Sequence, residues 1–430
     1  MIAYPIQNKS LLPLTIFLLT SLLLSCKTAT PANYSVPSKT TLPTKIKTGK
    51  FLTGADNVTS YFSLLENKRT AIVTNQTGLI TYDSIYEATD EQGFPKQMLV
   101  QKTGHIVDYI VDKTEVNLVK IFAPEHGFRG TADAGELVSD TADPKTGLPI
   151  LSLYGNNKKP TAKQLAGIDL LLFDLQDVGA RFYTYISHLH FIMEACAEND
   201  IQLVILDRPN PNGGIVDGPI LDPKHSSFVG MHPIPVLHGM TIGEYALMIN
   251  GQGWLNNGIQ CQLNIVPCEN YKREMPYSLP VKPSPNLPND KAINLYASLC
   301  LFEGTNVSVG RGTDMQFQVY GSPYLPDTGF YFTPLPNFGA KDPMHNGLNC
   351  YGENLTQVEN VSRLELKWLI RAYSDTLDKS KFFNSFFTKL AGSKMLQLQI
   401  EAGLPEAEIR ESWRPGLEKF KNMREAYLIY

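Results

Sequence analysis

The chain has 430 residues, of which 43% are hydrophobic and 19% charged, with 38 basic side chains set against 42 acidic ones for a formal net charge of −4. That balance excludes a disordered, collagen-like or coiled-coil protein, and it excludes a strongly basic nucleic-acid binder. The length suits two or three domains.

Lys9 precedes an apolar stretch from Leu11 to Leu24, broken by Pro13. It is shorter than the ~20 residues a membrane-spanning helix needs, and it reads as the core of a signal peptide. The stretch ends Leu23-Leu24-Ser25-Cys26, which resembles a bacterial lipobox. The expectation is a signal peptide over 1–25 and a lipidated Cys26 that anchors the protein to the membrane. The location that follows is the cell envelope, on the periplasmic or outer-membrane side. An ordinary secretory signal with a chance cysteine is the alternative. Residues 26–50 are rich in Thr, Pro, Ser and Lys and carry no acid, so they read as a flexible tether. Beyond Cys26 five cysteines remain, an odd number, with no zinc-ligand spacing; this is not a disulfide scaffold. A pairing of Cys261 with Cys268 stays open.

From about residue 50 short apolar runs alternate with amphipathic stretches. Ala71–Thr74, Leu118–Ala123, Ile168–Phe173 and Leu203–Leu206 read as parallel strands buried on both faces. Between the last two, residues 184–198 carry apolar side chains at helical spacing. The pattern predicts an α/β class, a layered domain with a parallel sheet over 51–258, followed by a smaller mixed α+β domain over 259–430. Strand-like pieces are expected at Gln262–Val266 and Phe317–Tyr320. Ser362 and Glu365 resemble a capping box opening a helix with an apolar stripe that runs from Leu364 to Leu377.

In open α/β sheets ligands bind beyond the carboxyl ends of the strands. Here those ends deliver Asn75, then Pro124-Glu125-His126 with Arg129, then Asp174, Gln176, Asp177, Arg181 and Tyr183, then Asp207, Arg208 and Asn210. The turn after the first strand lacks G-x-G-x-x-G and there is no P-loop, so no nucleotide and no other cofactor is expected. Glu125-His126 is not a zinc motif, and Asp133, Glu136 and Asp140 lack calcium-loop spacing, so no metal is expected either. No G-x-S-x-G elbow is present. Carboxylate chemistry remains. Glycoside cleavage needs an acid for the leaving oxygen and usually a second carboxylate. Glu125 is the candidate general acid and Asp177 the second group, with Asp207 and Glu303 in reserve.

Three long motifs carry a resemblance: Phe122-Ala-Pro-Glu-His-Gly-Phe-Arg-Gly130, Phe173-Asp-Leu-Gln-Asp-Val-Gly-Ala-Arg-Phe-Tyr-Thr-Tyr185 and Leu206-Asp-Arg-Pro-Asn-Pro-Asn-Gly-Gly214. With Pro283-Ser-Pro-Asn286, Glu303-Gly-Thr-Asn306 and Gly310-Arg-Gly312, the chain resembles the NamZ-type exo-β-N-acetylmuramidase family from about residue 50 onward. The resemblance implies a Rossmann-like parallel-sheet domain whose cleft is completed by the smaller C-terminal domain, and release of N-acetylmuramic acid from the non-reducing end of peptidoglycan fragments, in cell-wall recycling. It also implies a catalytic role for Glu125; Asp177 rests on position alone. For such a substrate Arg129, Arg181, Arg208 and Arg311 are candidates for the lactyl carboxylate, since a guanidinium matches a carboxylate bidentately. Asn75, Gln176 and Asn210 are candidates for hydroxyls or the acetamido group, and Tyr183 or Tyr185 for stacking under the ring. His126, Asp207 and Glu303 complete the candidate binding set. An ion pair or core contact is the other reading of each. The competing functions are a non-catalytic lipoprotein that captures glycans or muropeptides, and a metal-dependent hydrolase or amidase.

Overall fold

A computed structural model of the protein describes residues 49–89, 94–125, 127–129, 141–155 and 157–430. The expected signal peptide, Cys26 and nearly all of the tether lie outside these residues, as do His126, Asp133, Glu136 and Asp140. Residues Thr48–Tyr430 form one compact unit.

Its centre is a seven-stranded sheet. The strands are β1 (Arg69–Thr74), β4 (Asn117–Ala123), β5 (Thr141–Ala142), β6 (Pro149–Ser152), β7 (Leu170–Asp174), β8 (Gln202–Leu206) and β9 (Leu263–Val266). A two-stranded ribbon of β2 (Leu79–Thr89) and β3 (Pro95–His105) is inserted after β1. Across the sheet the order is β5-β6-β4-β1-β7-β8-β9, parallel except for the edge pair β5–β6. Numbered by chain position, the six parallel strands run 3-2-1-4-5-6, the doubly wound order of dinucleotide folds. The order reverses between β1 and β7, so the connections on either side of this point lead away from each other and open a crevice at the strands' carboxyl ends.

The reason these segments are strands is visible in their side chains. Ala71 and Val73, Leu171 and Phe173, and Leu203 and Ile205 pack into one core. The intervening Ile72, Leu170 and Leu172, and Val204 and Leu206 pack into a second core on the opposite face. Alternation sends successive side chains to opposite faces, and both faces are covered; each fully buried aliphatic side chain contributes ~1.5–3 kcal/mol. The first face is covered by the helices Tyr185–Glu198, Ile242–Gly251 and Asp290–Leu299, the second by Ile106–Lys113.

Four strands and the helix after the third were legible to within a few residues. Other expectations need correction. The boundary at 258 cuts the sheet, because β9 lies beyond it and pairs with β8. The strand expected from Phe317 starts at Val319, since Phe317 takes a left-handed φ of 53°. It is β10 (Val319–Ser322), which forms a small antiparallel sheet with β11 (Tyr331–Phe332) and β12 (Cys350–Asn354). Ser362 caps nothing: Glu365 is paired with Arg363, and the helix begins at Lys367. It ends at Asp375, so Leu377 falls off the apolar stripe and is 95% exposed. Cys261 and Cys268 do not pair; all five described cysteines are free and buried. The chain end returns to the sheet, where the Tyr430 hydroxyl bonds Asp207 at 2.8 Å.

Candidate active site

Glu125 lies two residues past the end of β4, at the carboxyl edge of the sheet, and is half-buried. It lines a cavity of about 140 Å³. Two hydroxyls hold its carboxylate. Thr184 Oγ1 donates to Glu125 Oε2 at 3.3 Å. Thr184 is the N-cap of the helix Tyr185–Glu198 but makes no side-chain cap, leaving its hydroxyl free for this contact. The Tyr154 hydroxyl is also hydrogen-bonded to Glu125; burial first, then the Glu125 charge, push its pKa up to about 12. Tyr154 follows β6, the neighbour of β4, which is why it reaches Glu125.

The far wall comes from a distant part of the chain. Glu303 and Arg311 line the same cavity and are ion-paired, Nε to Oε1, at 2.6 Å. Burial alone would lower the Arg311 pKa, but the Glu303 carboxylate outweighs it and raises it. The guanidinium sits 5.1 Å from the centre of the Phe317 ring, whose left-handed backbone turns it toward the cavity. A strained non-glycine residue of this kind persists only where its surroundings hold it.

The floor is aromatic. Tyr183 and Tyr185 pack edge to face at 4.8 Å, and both hydroxyls donate to the Pro283 carbonyl, at 2.9 and 3.3 Å. Asn75 Nδ2 donates to the Tyr185 hydroxyl at 2.6 Å, so Asn75 orients a cavity residue from behind. Tyr296 completes the floor; burial raises the pKa of all three tyrosines, which stay neutral donors.

The structure therefore brings Glu125, Tyr183, Tyr185, Glu303 and Arg311 together and leaves the other described candidates outside the cavity wall. Asp177 is buried outside the cavity wall, where its Oδ2 accepts from the Gly179 N–H at 2.7 Å. Gly179 has a φ of 78°, and a Cβ there would stand 2.3 Å from Asn210 Oδ1. Asn210 itself bonds the Met240 carbonyl and the Asn212 N–H. Gln176 is spent on the carbonyls of Asp177 and Pro209. Three of the four arginines proposed for the lactyl carboxylate already have partners away from the cavity. Arg129 pairs with Asp108 and Asp143, and Arg208 with Asp174. Arg181 is fully buried and donates to the carbonyls of Pro219, Ile234 and Leu390. Asp207 accepts from Thr241, Gly243 and Tyr430. His126 is outside the described residues.

Sequence reasoning missed Tyr154, Thr184 and Tyr296. Thr184 stood inside a quoted motif. Tyr154 would have followed from recognising β6, because its carboxyl end faces that of β4.

A cleft of carboxylates and tyrosines at the switch point of a doubly wound sheet fits a hydrolase acting on a polar polymer, and sequence comparison agrees. A family model described as "Exo-beta-N-acetylmuramidase NamZ, N-terminal" matches residues 71–291, and its C-terminal companion matches 294–430. The chain belongs to this family and is a glycoside hydrolase. Among its relatives is "Peptidoglycan beta-N-acetylmuramidase NamZ" of Bacillus subtilis (strain 168), 37% identical over 438 aligned positions that cover 97% of this chain and 99% of the relative. Two crystal structures of DUF1343 family proteins from Bacteroides fragilis NCTC 9343 share the fold. One is 43% identical, with a TM-score of 0.77 over 89% of this chain and 99% of the other. The second is 28% identical, with a TM-score of 0.68 over 88% and 99%.

Proposed function

We propose that the protein is an exo-acting β-N-acetylmuramidase that removes N-acetylmuramic acid from the non-reducing end of peptidoglycan fragments, with Glu125 as general acid. The observation that supports it best is the placing of Glu125 and Glu303 on the walls of one small cavity, with Arg311 beside Glu303. Glycoside cleavage divides its work between two such groups. The Glu125 carboxyl gives its proton to the glycosidic oxygen, and the remainder of the fragment departs as an alcohol. Glu303 serves the anomeric carbon, either by activating water or by attack, and Arg311 steadies its charge. Tyr154 and Thr184 fix the Glu125 carboxyl in place. On the same reading the protein works in cell-wall recycling at the envelope, carried there by the signal peptide and held by lipid on Cys26; the lipobox pattern supports this part.

The test is Glu125→Gln, which keeps the shape of the side chain and removes its titrating proton. Hydrolysis of a chromogenic N-acetylmuramic acid glycoside should fall by ~10²–10⁴-fold with an unchanged circular dichroism spectrum. Turnover at the parent rate would remove Glu125 from the mechanism.

A further inference from the structure

Of the five described cysteines, three spend their thiols on oxygen. Cys268 Sγ donates to the Asp207 carbonyl at 3.3 Å, Cys300 Sγ to Glu303 Oε2 at 3.6 Å and Cys350 Sγ to the Leu348 carbonyl at 3.8 Å. Cys196 differs. Its thiol is hydrogen-bonded to the thiol of Cys261, from a distant part of the chain. Both are free, both are buried, and both enter the same core on the helix-covered face of the sheet.

The backbone explains the meeting. Cys196 lies in the last turn of the helix Tyr185–Glu198, and its carbonyl accepts from the Asn199 N–H at 3.2 Å and the Ile201 N–H at 2.9 Å. The chain reverses there, through Asp200 with a φ of 55°, and enters β8 at Gln202. The Leu203 N–H donates to the Gln262 carbonyl at 2.8 Å, which sets the start of β9 beside the start of β8. Cys261 is one residue further back. Asn250 holds it there, accepting from its N–H at 3.1 Å and donating to its carbonyl at 2.9 Å. A buried thiol can serve simply as a small apolar side chain. Two thiols in contact, on backbones each held by hydrogen bonds, have a further chemistry open to them, since side-chain rotation brings them to bonding distance.

We propose that Cys196 and Cys261 are a disulfide site that closes when the chain folds in the presence of a disulfide oxidant such as oxidised glutathione. One cysteine, as its thiolate, attacks the oxidant's S–S bond and expels one of its sulfurs. The second then attacks the mixed disulfide at the protein sulfur and expels the other. Two S–H bonds of the protein give way to one Sγ–Sγ bond, and the oxidant takes up both electrons and both protons as two thiols. The contact with Cys261, and then burial, raise the pKa of Cys196, so the folded protein holds little thiolate there and the exchange belongs to the folding chain. The envelope location proposed above would expose that chain to such an oxidant. The bond staples the end of the helix to the start of β9, a seam otherwise tied by the Asn256 N–H on Glu194 Oε2 at 2.8 Å. It closes a long loop, which stabilises the fold by restricting the unfolded chain. The site lies roughly 16 Å along the helix from Tyr185, at the end away from the cavity, and is independent of the muramidase chemistry.

The test is cell-free synthesis of the full chain in a buffer of oxidised and reduced glutathione, and in parallel with dithiothreitol. Each product is alkylated with N-ethylmaleimide in urea, and its proteolytic peptides are mapped by mass spectrometry. In the glutathione product a linked pair of peptides carrying Cys196 and Cys261 is expected, with Cys268, Cys300 and Cys350 alkylated. In the dithiothreitol product all five should be alkylated. The urea midpoint of the glutathione product should fall by about 0.5–1 M on reduction, and that of Cys261→Ala should not respond to reduction. Alkylation of both Cys196 and Cys261 in the glutathione product would overturn the proposal, and so would a link from either one to a different cysteine. The peptide map is read on the parent chain alone, so it decides the matter even where Cys261→Ala does not fold.

Discussion

Arg311 Nε lies 2.6 Å from Glu303 Oε1, and the pair faces Glu125 across one cavity. The pair is only partly exposed, and a carboxylate in such a place needs its counter-ion more than one in water does. On the mechanism proposed above, this placement favours Glu303 for the second carboxylate over Asp177, which bonds the Gly179 N–H outside the cavity wall.

Glu303→Gln is therefore expected to lower kcat on a chromogenic muramic acid glycoside by ~10²–10⁴-fold, the range for loss of an acid–base group. Asp177→Asn should leave kcat near that of the parent and show itself in the denaturation midpoint instead. Steady-state kinetics and urea titration of both variants decide the matter. The opposite pattern would return the role to Asp177.

Tyr154→Phe tests the hydroxyl that holds Glu125. Without this hydroxyl the carboxyl is held by Thr184 alone among the two contacts described. On the proposed mechanism kcat in Tyr154→Phe should fall by about tenfold from looser positioning, with KM near that of the parent. Steady-state kinetics that match the parent in both constants would show that Tyr154 only packs.

The contrast between Glu125 and its partners shows what a sequence can disclose. Glu125 follows a short strand that is apolar but for Asn117 and Lys120, and strand ends at the carboxyl edge of a parallel sheet are where ligands bind, so local pattern was sufficient to place it at that edge. Glu303 and Arg311 sit in a 3-10 turn and a glycine-rich loop far along the chain, and nothing local says which sheet edge they face. Arg129, Arg181 and Arg208 were misjudged for a related reason. A guanidinium suits a carboxylate ligand, but it suits Asp174, Asp143 or a set of buried carbonyls equally well, and only the fold reveals which partner is within reach. The β2–β3 ribbon was invisible because its exposed strands mix Ile85, Tyr86, Met98 and Leu99 with charged and polar neighbours, without the continuous apolar run of the central strands.

Arg181 gives the sharpest test of that correction. Among the described residues it has no carboxylate partner, and burial brings its pKa down to about 9, yet it ties together the carbonyls of Pro219, Ile234 and Leu390. Arg181→Leu strands the Pro219 and Leu390 oxygens in the core and leaves that of Ile234 with the Leu221 N–H alone. At ~1–3 kcal/mol for each unsatisfied buried group, less the cost of burying the charge, a net loss of about 3 kcal/mol is expected in urea titration. The folded fraction should hydrolyse the glycoside with a parent-like KM. A raised KM with an unchanged denaturation midpoint would instead place Arg181 on the substrate.

Asp207 makes stability depend on pH in an unusual direction. Burial pushes its carboxyl pKa from 3.8 up to about 6, against the opposing hydrogen bonds from Thr241, the Gly243 N–H and Tyr430. Between pH 4 and 6 the folded protein thus holds a proton that the unfolded chain has released. Since stability falls with rising pH wherever the folded state binds more protons, this group's contribution declines across that window and is lowest above pH 6. At about 1.4 kcal/mol per pKa unit, the change amounts to about 3 kcal/mol. Other carboxylates respond to acid as well, so the quantity to measure is the stability difference between the parent and Asp207→Asn, whose side chain does not titrate. From pH 4 to pH 7 that difference should shift by about 3 kcal/mol in favour of the variant. A difference that stays constant over this range would mean that Asp207 is charged in the folded protein throughout, sustained by its donors despite its burial.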